Sequence, residues 1–259
     1  MTSREDWQRR LGPLYGGAVA LVHSTPLRWP AEVGDDARSP GWIVALGAPI
    51  GFAAWAVAAL THAAGVPTPI AAIVGLAILT LCSAALVERG LADRIDGWLG
   101  ESRGSTGATV AIVLVTVIRA ACIAFVSPGN WLAVFVATAV VGRYAAIFLQ
   151  ALGDPIDLDK RSSYPPSHSG ELGAPRAERS LVATPAPAWL TAALGIGAAV
   201  VAVVALGKAG IVALALAAIA AFVLGLDAQR RDRGLTAPVV ATAAAIAELL
   251  LLLLASAGH

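Results

Sequence analysis

The segment between Glu88 and Gly97 carries the side chains with the clearest chemistry in this sequence. A helix turns by about 100° per residue, which brings four ionisable residues of the segment onto one face: Glu88, Arg89, Asp93 and Asp96. Two carboxylates three positions apart, as at Asp93 and Asp96, can share a hard cation such as Mg²⁺ that also binds substrate phosphates. The same spacing is equally typical of a solvated helix end, where Arg89 and Asp93 form an ordinary ion pair.

A second candidate lies immediately downstream, in the segment 102–107, which reads Ser-Arg-Gly-Ser-Thr-Gly. Where such a segment leads into a helix, its backbone N–H groups can bind a phosphate. Arg103 can add a charged contact to the same ligand. Without further context, the pattern more often marks a flexible turn followed by a Ser or Thr helix cap.

Three ionisable residues fall inside long apolar runs: Arg119, Arg143 and Glu248. A charge inside a bilayer is costly and usually faces a partner or a water-filled cavity. Arg119 lies in the middle of its run, and pairing with Glu248 would make both residues structural. Arg143 is therefore the better candidate for a site, whereas His168 is a lone loop histidine that indicates little by itself.

The chain that carries these residues is 58% hydrophobic and 14% charged, with a mean hydropathy of +0.75. A soluble domain of 259 residues could not bury so much apolar surface. Each apolar run can cross a hydrocarbon core of about 30 Å, and only a helix satisfies its own backbone hydrogen bonds there. We predict an all-α bundle of about seven spans, near residues 42–62, 68–87, 107–126, 130–151, 188–207, 209–227 and 237–257.

The basic residues predict the orientation of the spans. With a cytoplasmic N-terminus, every Lys and Arg outside the spans except Lys208 falls on the cytoplasmic side. We therefore expect a multi-pass protein of the plasma (inner) membrane whose site faces the cytoplasm.

No basic run is interleaved with aromatic residues, so nucleic-acid binding is not expected. The predicted parts are a cytoplasmic or interfacial segment, 1–41, and a membrane domain, 42–259, with cytoplasmic loops 88–106, 152–187 and 228–236.

The motifs, taken in order, resemble one protein family. The stretch Gly90-Leu91-Ala92-Asp93-x-x-Asp96-Gly97 is similar to the D-G-L-A-D-x-x-D-G motif of the cobalamin-5′-phosphate synthases, also called adenosylcobinamide-GDP ribazoletransferases. Segment 102–107 resembles the R-D-[SG]-x-x-G segment that opens the next span of that family. Further features agree in order and spacing: the first-span pair Gly47-x-x-x-Gly51, the mid-span Arg143, the central loop 167–173 and the last-span Glu248.

The resemblance implies a Mg²⁺-dependent transfer in cobalamin biosynthesis. Enzymes of that family join adenosylcobinamide-GDP to α-ribazole or its phosphate and release GMP. By this resemblance Asp93 and Asp96 would hold metal and diphosphate, with Glu88 as a further metal ligand. Arg143 would neutralise developing charge. The implied substrate contacts are Gly104, Ser105, Thr106, Gly107, His168 and Glu248.

The expected partners are those two small substrates and the lipid bilayer, with a homo-oligomer left open. Three positions depart from the family's pattern, because Arg89, Arg103 and Pro238 stand where its motifs carry aspartate. One alternative is another phosphotransferase of the CDP-alcohol type, although the full acidic array of that class is missing here. A second alternative is a non-catalytic membrane homologue or scaffold that has lost metal-binding acids. A transporter is disfavoured, since the outer side offers no polar path.

Overall fold

A computed structural model describes residues 4–27, 36, 38–101, 104–153, 181, 185–232 and 234–258. These residues form α-helices joined by short connections, and none of them lies in a β-strand. The helices are α1 (Arg4–Leu11), α2 (Tyr15–Ser24), α3 (Ser39–Ala45), α4 (Gly47–Ala63), α5 (Thr68–Cys82), α6 (Leu86–Leu99), α7 (Thr106–Phe125), α8 (Trp131–Leu152), α9 (Ala188–Leu206), α10 (Lys208–Arg231) and α11 (Ala237–Ala257).

Six segments are long and apolar enough to cross a membrane by themselves. They are α3 with α4 (Ser39–Ala63), α7, α8 with the turn before it (Pro128–Leu152), α9, α10 and α11. Helices α5 and α6 pass the same test only as a pair, which gives up to seven spans. The prediction of an all-α, multi-pass membrane bundle is therefore confirmed.

Helices α8 and α11 form the centre of the bundle, whereas α7, α9 and α10 turn most of their surface outward. Helix α4 packs directly against the backbone of α8. A Cβ added at Gly51 would lie 2.5 Å from the Cα of Val136, and one at Gly47 would lie 2.8 Å from the Cα of Val140. Only glycine allows this approach, which is typical of close helix packing in membranes.

The second span differs from the prediction, because it does not run straight from residue 68 to residue 87. Helix α5 ends at Cys82, and α6 leaves it at an angle of 76° after residues 83–85. We call residues 83–85 the corner. The acidic segment therefore lies on a separate helix that is inclined to α5, rather than on a straight continuation of the span.

Backbone hydrogen bonds define the corner as a Schellman motif. The N–H of Ala85 donates to the carbonyl of Thr80 (3.0 Å), and the N–H of Ala84 donates to that of Leu81 (3.0 Å). Ala84 has φ 53° and Ala85 has φ 52°, in the left-handed region where glycine is usual. An L-residue costs about 1–2 kcal/mol in this conformation, so the corner is strained.

Helix α6 packs against α7 and α11. Gly90 marks its closest approach to α11, because an added Cβ would lie 2.1 Å from the Cβ of Ala241. This glycine of the acidic motif thus has a packing role. The α6–α7 loop and the turn from α10 to α11 lie at the same end of the bundle as α6, and we call it the charged end.

We predict that Ala84→Gly stabilises the protein. Glycine adopts a positive φ without steric strain, so the free energy of unfolding should rise by about 1 kcal/mol. The matched control is Ala121→Gly, at an exposed position inside α7, which should lower that free energy by about 1 kcal/mol. Thermal unfolding of both variants in the same detergent checks the prediction, and equal destabilisation by the two would contradict the left-handed corner.

Candidate functional site

Arg94 ties α6 to the end of α10 and to the turn after it. Its guanidinium donates to the carboxylate of Asp227 (2.6 Å) and makes a second, short contact to that of Asp232. The Cζ of Arg94 lies 5.3 Å from the centroid of the Trp98 ring, and the indole N–H of Trp98 donates to Asp227 (3.2 Å). We call these four residues the Arg94 clamp. The clamp fixes the middle of α6 at the charged end.

The Arg94 clamp was not predicted from the sequence. Arg94 occupies a variable position of the motif, and its partners Asp227 and Asp232 follow it by 133 and 138 residues. The signal that could have found it is Asp227, which lies in the last two turns of an apolar span. A carboxylate in that position needs a cationic partner.

Asp96 lies in the last turn of α6 and organises the α6–α7 loop. Its carboxylate accepts hydrogen bonds from the N–H of Gly104 (2.8 Å) and the N–H of Ser105 (3.3 Å), and a short one from the Ser105 hydroxyl. The Ser105 hydroxyl also accepts from the N–H of Ala108 (3.1 Å) and so caps α7.

The same contacts stabilise the ionised form of Asp96. The hydrogen bond from Ser105 is the largest cause that lowers the pKa of Asp96 below its usual value, and the two backbone N–H groups add to it. Because the folded-state pKa is lowered, the resulting stabilisation is present at neutral pH. It is lost as the pH falls through the lowered pKa.

The structure thus brings two separately predicted sites together. The N–H groups and the hydroxyl that were expected to meet a phosphate at Gly104 and Ser105 are engaged by Asp96. Thr106 begins α7 with an exposed side chain. Gly107 faces α6, since an added Cβ would lie 2.4 Å from the Cδ1 of Leu99. The roles of these residues in substrate binding stay predictions.

A buried ion-pair chain lies beneath the corner. Arg119 donates through Nη1 to Glu88 (2.7 Å) and through Nη2 to Glu248 (2.6 Å). The predicted pairing of Arg119 with Glu248 is confirmed. The hydroxyl of Thr80 also donates to Glu88 (3.0 Å). We call Glu88, Arg119 and Glu248 the Arg119 bridge, which joins α6, α7 and α11.

Arg143 lies within the same buried region. Its side chain is 3% exposed and donates to the Ser83 hydroxyl (2.8 Å) and to the Ala139 carbonyl (3.1 Å). The preceding Gly142 makes room for the last-span glutamate, because an added Cβ would lie 2.5 Å from the Cγ of Glu248. Arg143 thus supports the corner through Ser83, and its predicted role in neutralising charge stays a prediction.

The predicted metal ligands do not form one compact group. No set of three or more His, Cys, Asp and Glu side chains is placed to hold a metal ion within the described part of the chain. Glu88 is engaged by Arg119 and Thr80. Asp93 and Asp96 lie one helical turn apart on α6, so a magnesium site is reduced to these two acids and stays a prediction.

The three residues that stand where the family's motifs carry aspartate lie in different parts of the chain. Arg89 is exposed on α6, and Pro238 lies in the first turn of α11, where the missing N–H of proline is tolerated. Arg103 lies outside the described residues, as does His168, one of the predicted substrate contacts.

Comparison with known proteins gives a match to the model of cobalamin-5-phosphate synthases over residues 17–256. The chain belongs to the cobalamin-5-phosphate synthase family. It is also 31% identical over 213 residues to an adenosylcobinamide-GDP ribazoletransferase of Azorhizobium caulinodans, covering 73% of this chain and 78% of that protein. No solved structure matches the chain.

In this member of the cobalamin-5-phosphate synthase family, we predict that Arg94→Ala lowers the free energy of unfolding by about 2–3 kcal/mol. Removing one partner of a fully buried pair costs about 3–5 kcal/mol. The smaller value follows because Arg94 is 6% exposed while Asp227 is 29% exposed. Arg231→Ala is the matched control, since Arg231 pairs with the same Asp227 (2.8 Å) but is 61% exposed. In denaturant unfolding, Arg231→Ala should lower the free energy of unfolding by less than about 0.5 kcal/mol. An equal loss in Arg94→Ala and Arg231→Ala would contradict a buried clamp.

We predict that Asp96→Asn loosens the α6–α7 loop. An asparagine cannot accept all the hydrogen bonds that the carboxylate receives, so the amides of Gly104 and Ser105 should exchange roughly fivefold faster. Hydrogen–deuterium exchange with mass spectrometry measures this directly. Glu101→Gln, with an exposed side chain in the same loop, is the control and should leave the rates unchanged. Parental exchange in Asp96→Asn would refute the contact.

Proposed function

We propose that this protein is a transferase of cobalamin biosynthesis. It joins adenosylcobinamide-GDP to α-ribazole or its phosphate and releases GMP. Membership of the cobalamin-5-phosphate synthase family supports the reaction class. The structural observation that carries the proposal is the acidic turn of α6, which is fixed at the charged end by the Arg94 clamp and by the contacts of Asp96.

In this proposal, Asp93 and Asp96 hold Mg²⁺ together with the diphosphate of the substrate. Two carboxylates supplemented by phosphate oxygens suit this ion. Oδ2 of Asp96 accepts one hydrogen bond, from Gly104, and keeps acceptor capacity for the ion, whereas Oδ1 already accepts two from Ser105. The bound ion would neutralise charge on the diphosphate and on the departing GMP. Glu88 is left out of the metal site, since Arg119 and Thr80 engage it.

The protein's own groups supply binding and orientation. A hydroxyl of the acceptor must lie in line with the cobinamide phosphate as the bond to GMP breaks. The hydroxyl of Thr106 is exposed at the start of α7 and can donate to a phosphate oxygen. Arg89 is an exposed cation on the helix of the acids and can neutralise charge on the same diphosphate.

The protein would lie in the plasma (inner) membrane with its charged end toward the cytoplasm. The distribution of the described Lys and Arg residues supports this orientation, since Arg94 and Arg231 lie at the charged end while Lys208 begins α10 at the opposite end. Nucleotide-linked substrates are water-soluble and would enter from the cytoplasm.

A second candidate function is a non-catalytic homologue that keeps the fold. The observation that favours it is the exposed Arg89 on the helix that carries Asp93 and Asp96, at a position where the resembling motif has an acid. A cation there opposes binding of a second cation. Turnover and metal binding separate the two functions.

The test uses the purified full chain in lipid nanodiscs, supplied with adenosylcobinamide-GDP, α-ribazole and Mg²⁺. We expect GMP release that matches formation of the joined cobamide. Asp93→Asn and Asp96→Asn should each lower kcat/KM by about 100-fold or more, because each removes a charged ligand of the diphosphate site. Glu5→Gln, at an exposed acid of α1, should keep parental turnover.

A folded parental chain that releases no GMP with either acceptor would contradict the transferase and support the non-catalytic homologue. Parental rates in both aspartate variants would instead show that the chemistry does not take place at α6.

A further inference from the structure

The Arg119 bridge takes no direct part in the proposed chemistry, yet it is built from three buried or nearly buried charges. Arg119 and Glu248 are each 3% exposed, and the side chain of Glu88 is 15% exposed. Both terminal nitrogens of one guanidinium are used, one for each carboxylate. A planar guanidinium holds two such partners at a fixed separation.

The bridge meets α6 close to its beginning. Glu88 is the third residue of α6, and Glu248 lies in the interior of α11. The Thr80 hydroxyl, on the other side of the corner, donates to the same Glu88 (3.0 Å). One carboxylate is therefore tied both to α5 before the corner and, through Arg119, to α11 after it. These contacts therefore connect the two sides of the corner at the point where α6 leaves it.

The position of this carboxylate bears on the acids further along α6. Asp93 and Asp96 follow Glu88 by five and eight residues, which is about 7.5 and 12 Å along a helix. A rotation of α6 about the corner therefore moves both acids together. Because Gly90 packs directly against α11, there is little space for α6 to move toward α11.

The energetics of buried ion pairs favour a role for the Arg119 bridge in positioning helices over a role in stability alone. Desolvation of buried charges offsets most of their attraction, and apolar side chains of similar volume often stabilise a core equally well. Arg119 is nonetheless the one charged residue of α7, among neighbours that are almost all apolar. A buried charged bridge can specify one arrangement of the helices that it joins, here α6, α7 and α11.

We propose that Arg119 is a positioning residue that sets the placement of α6, and with it Asp93 and Asp96, through Glu88 and Glu248. Its effect on turnover rests on the proposed function. Its effect on the position of α6 does not, so the two can be tested separately.

Two variants test the role. Arg119→Lys keeps the charge, but a single ammonium cannot hold both carboxylates in a planar fork. The combined variant Arg119→Met/Glu88→Gln/Glu248→Gln removes all three charges and leaves no charge of the bridge buried alone. Arg230→Lys, at an exposed arginine of α10, is the matched control.

The position of α6 is read from the distance between spin labels on Gly97→Cys in α6 and Leu253→Cys in α11, in a background lacking Cys82 and Cys122. Gly97 has open space around its Cα, and Leu253 is 40% exposed. Thermal unfolding, kcat and KM are measured on the matching chains without labels.

We expect both variants to unfold cooperatively, with a shifted or broadened label distance. The value of kcat should fall by about tenfold or more with KM changed by less than about threefold, because the substrate still binds but meets displaced acids. Parental distance and kcat in both variants would overturn the proposal, and so would a failure of both to fold. A parental chain without turnover would refute the proposed function, and the label distance would then decide the role of Arg119 by itself.

Discussion

In an apolar bundle each buried charge must meet an opposite charge or other polar partners, and this constraint shapes the region around the corner. Arg119 lies in a span where water cannot compensate it, and it contacts Glu88 and Glu248 within 2.7 Å. These contacts connect α6, α7 and α11 at one point. Arg143 lies nearby and donates a hydrogen bond to the Ser83 hydroxyl at the corner. The direction of α6, and hence the position of the acidic motif, depends on this buried polar group.

Helix α6 is fixed at three levels along its length. The Arg119 bridge holds its start, the Arg94 clamp holds its middle against α10, and Asp96 holds its end against the loop before α7. Functional sites need groups that are held to within a fraction of an ångström by their surroundings. Helix α6 meets this requirement through ion pairs to α7 and α10 and through hydrogen bonds to the α6–α7 loop, although it is a short helix at the end of a bundle. The strained left-handed residues of the corner are consistent with such an over-determined site.

The parts of the structure that could be predicted are those that depend on local composition. Continuous apolar runs identified the spans, and mid-span charge identified the pairing of Arg119 with Glu248. The bend at Ala84 and Ala85 could not be predicted, because two alanines in an apolar run give no sign of a helix end. The Arg94 clamp depends on residues more than a hundred positions apart and was missed for that reason. Asp96 and the loop were each predicted to bind a ligand, and only the fold shows that they contact each other.

We propose that the charged end of the bundle, around α6, receives the nucleotide diphosphate. Photo-crosslinking tests it most directly, with an adenosylcobinamide-GDP analogue that carries a photoreactive group on the guanosine and with mass spectrometry to locate the labelled peptide. We expect labelling of α6 or of the loop before α7, suppressed by unlabelled adenosylcobinamide-GDP. Competable labelling confined to the opposite end, around residues 63–68 or 126–130, would contradict it.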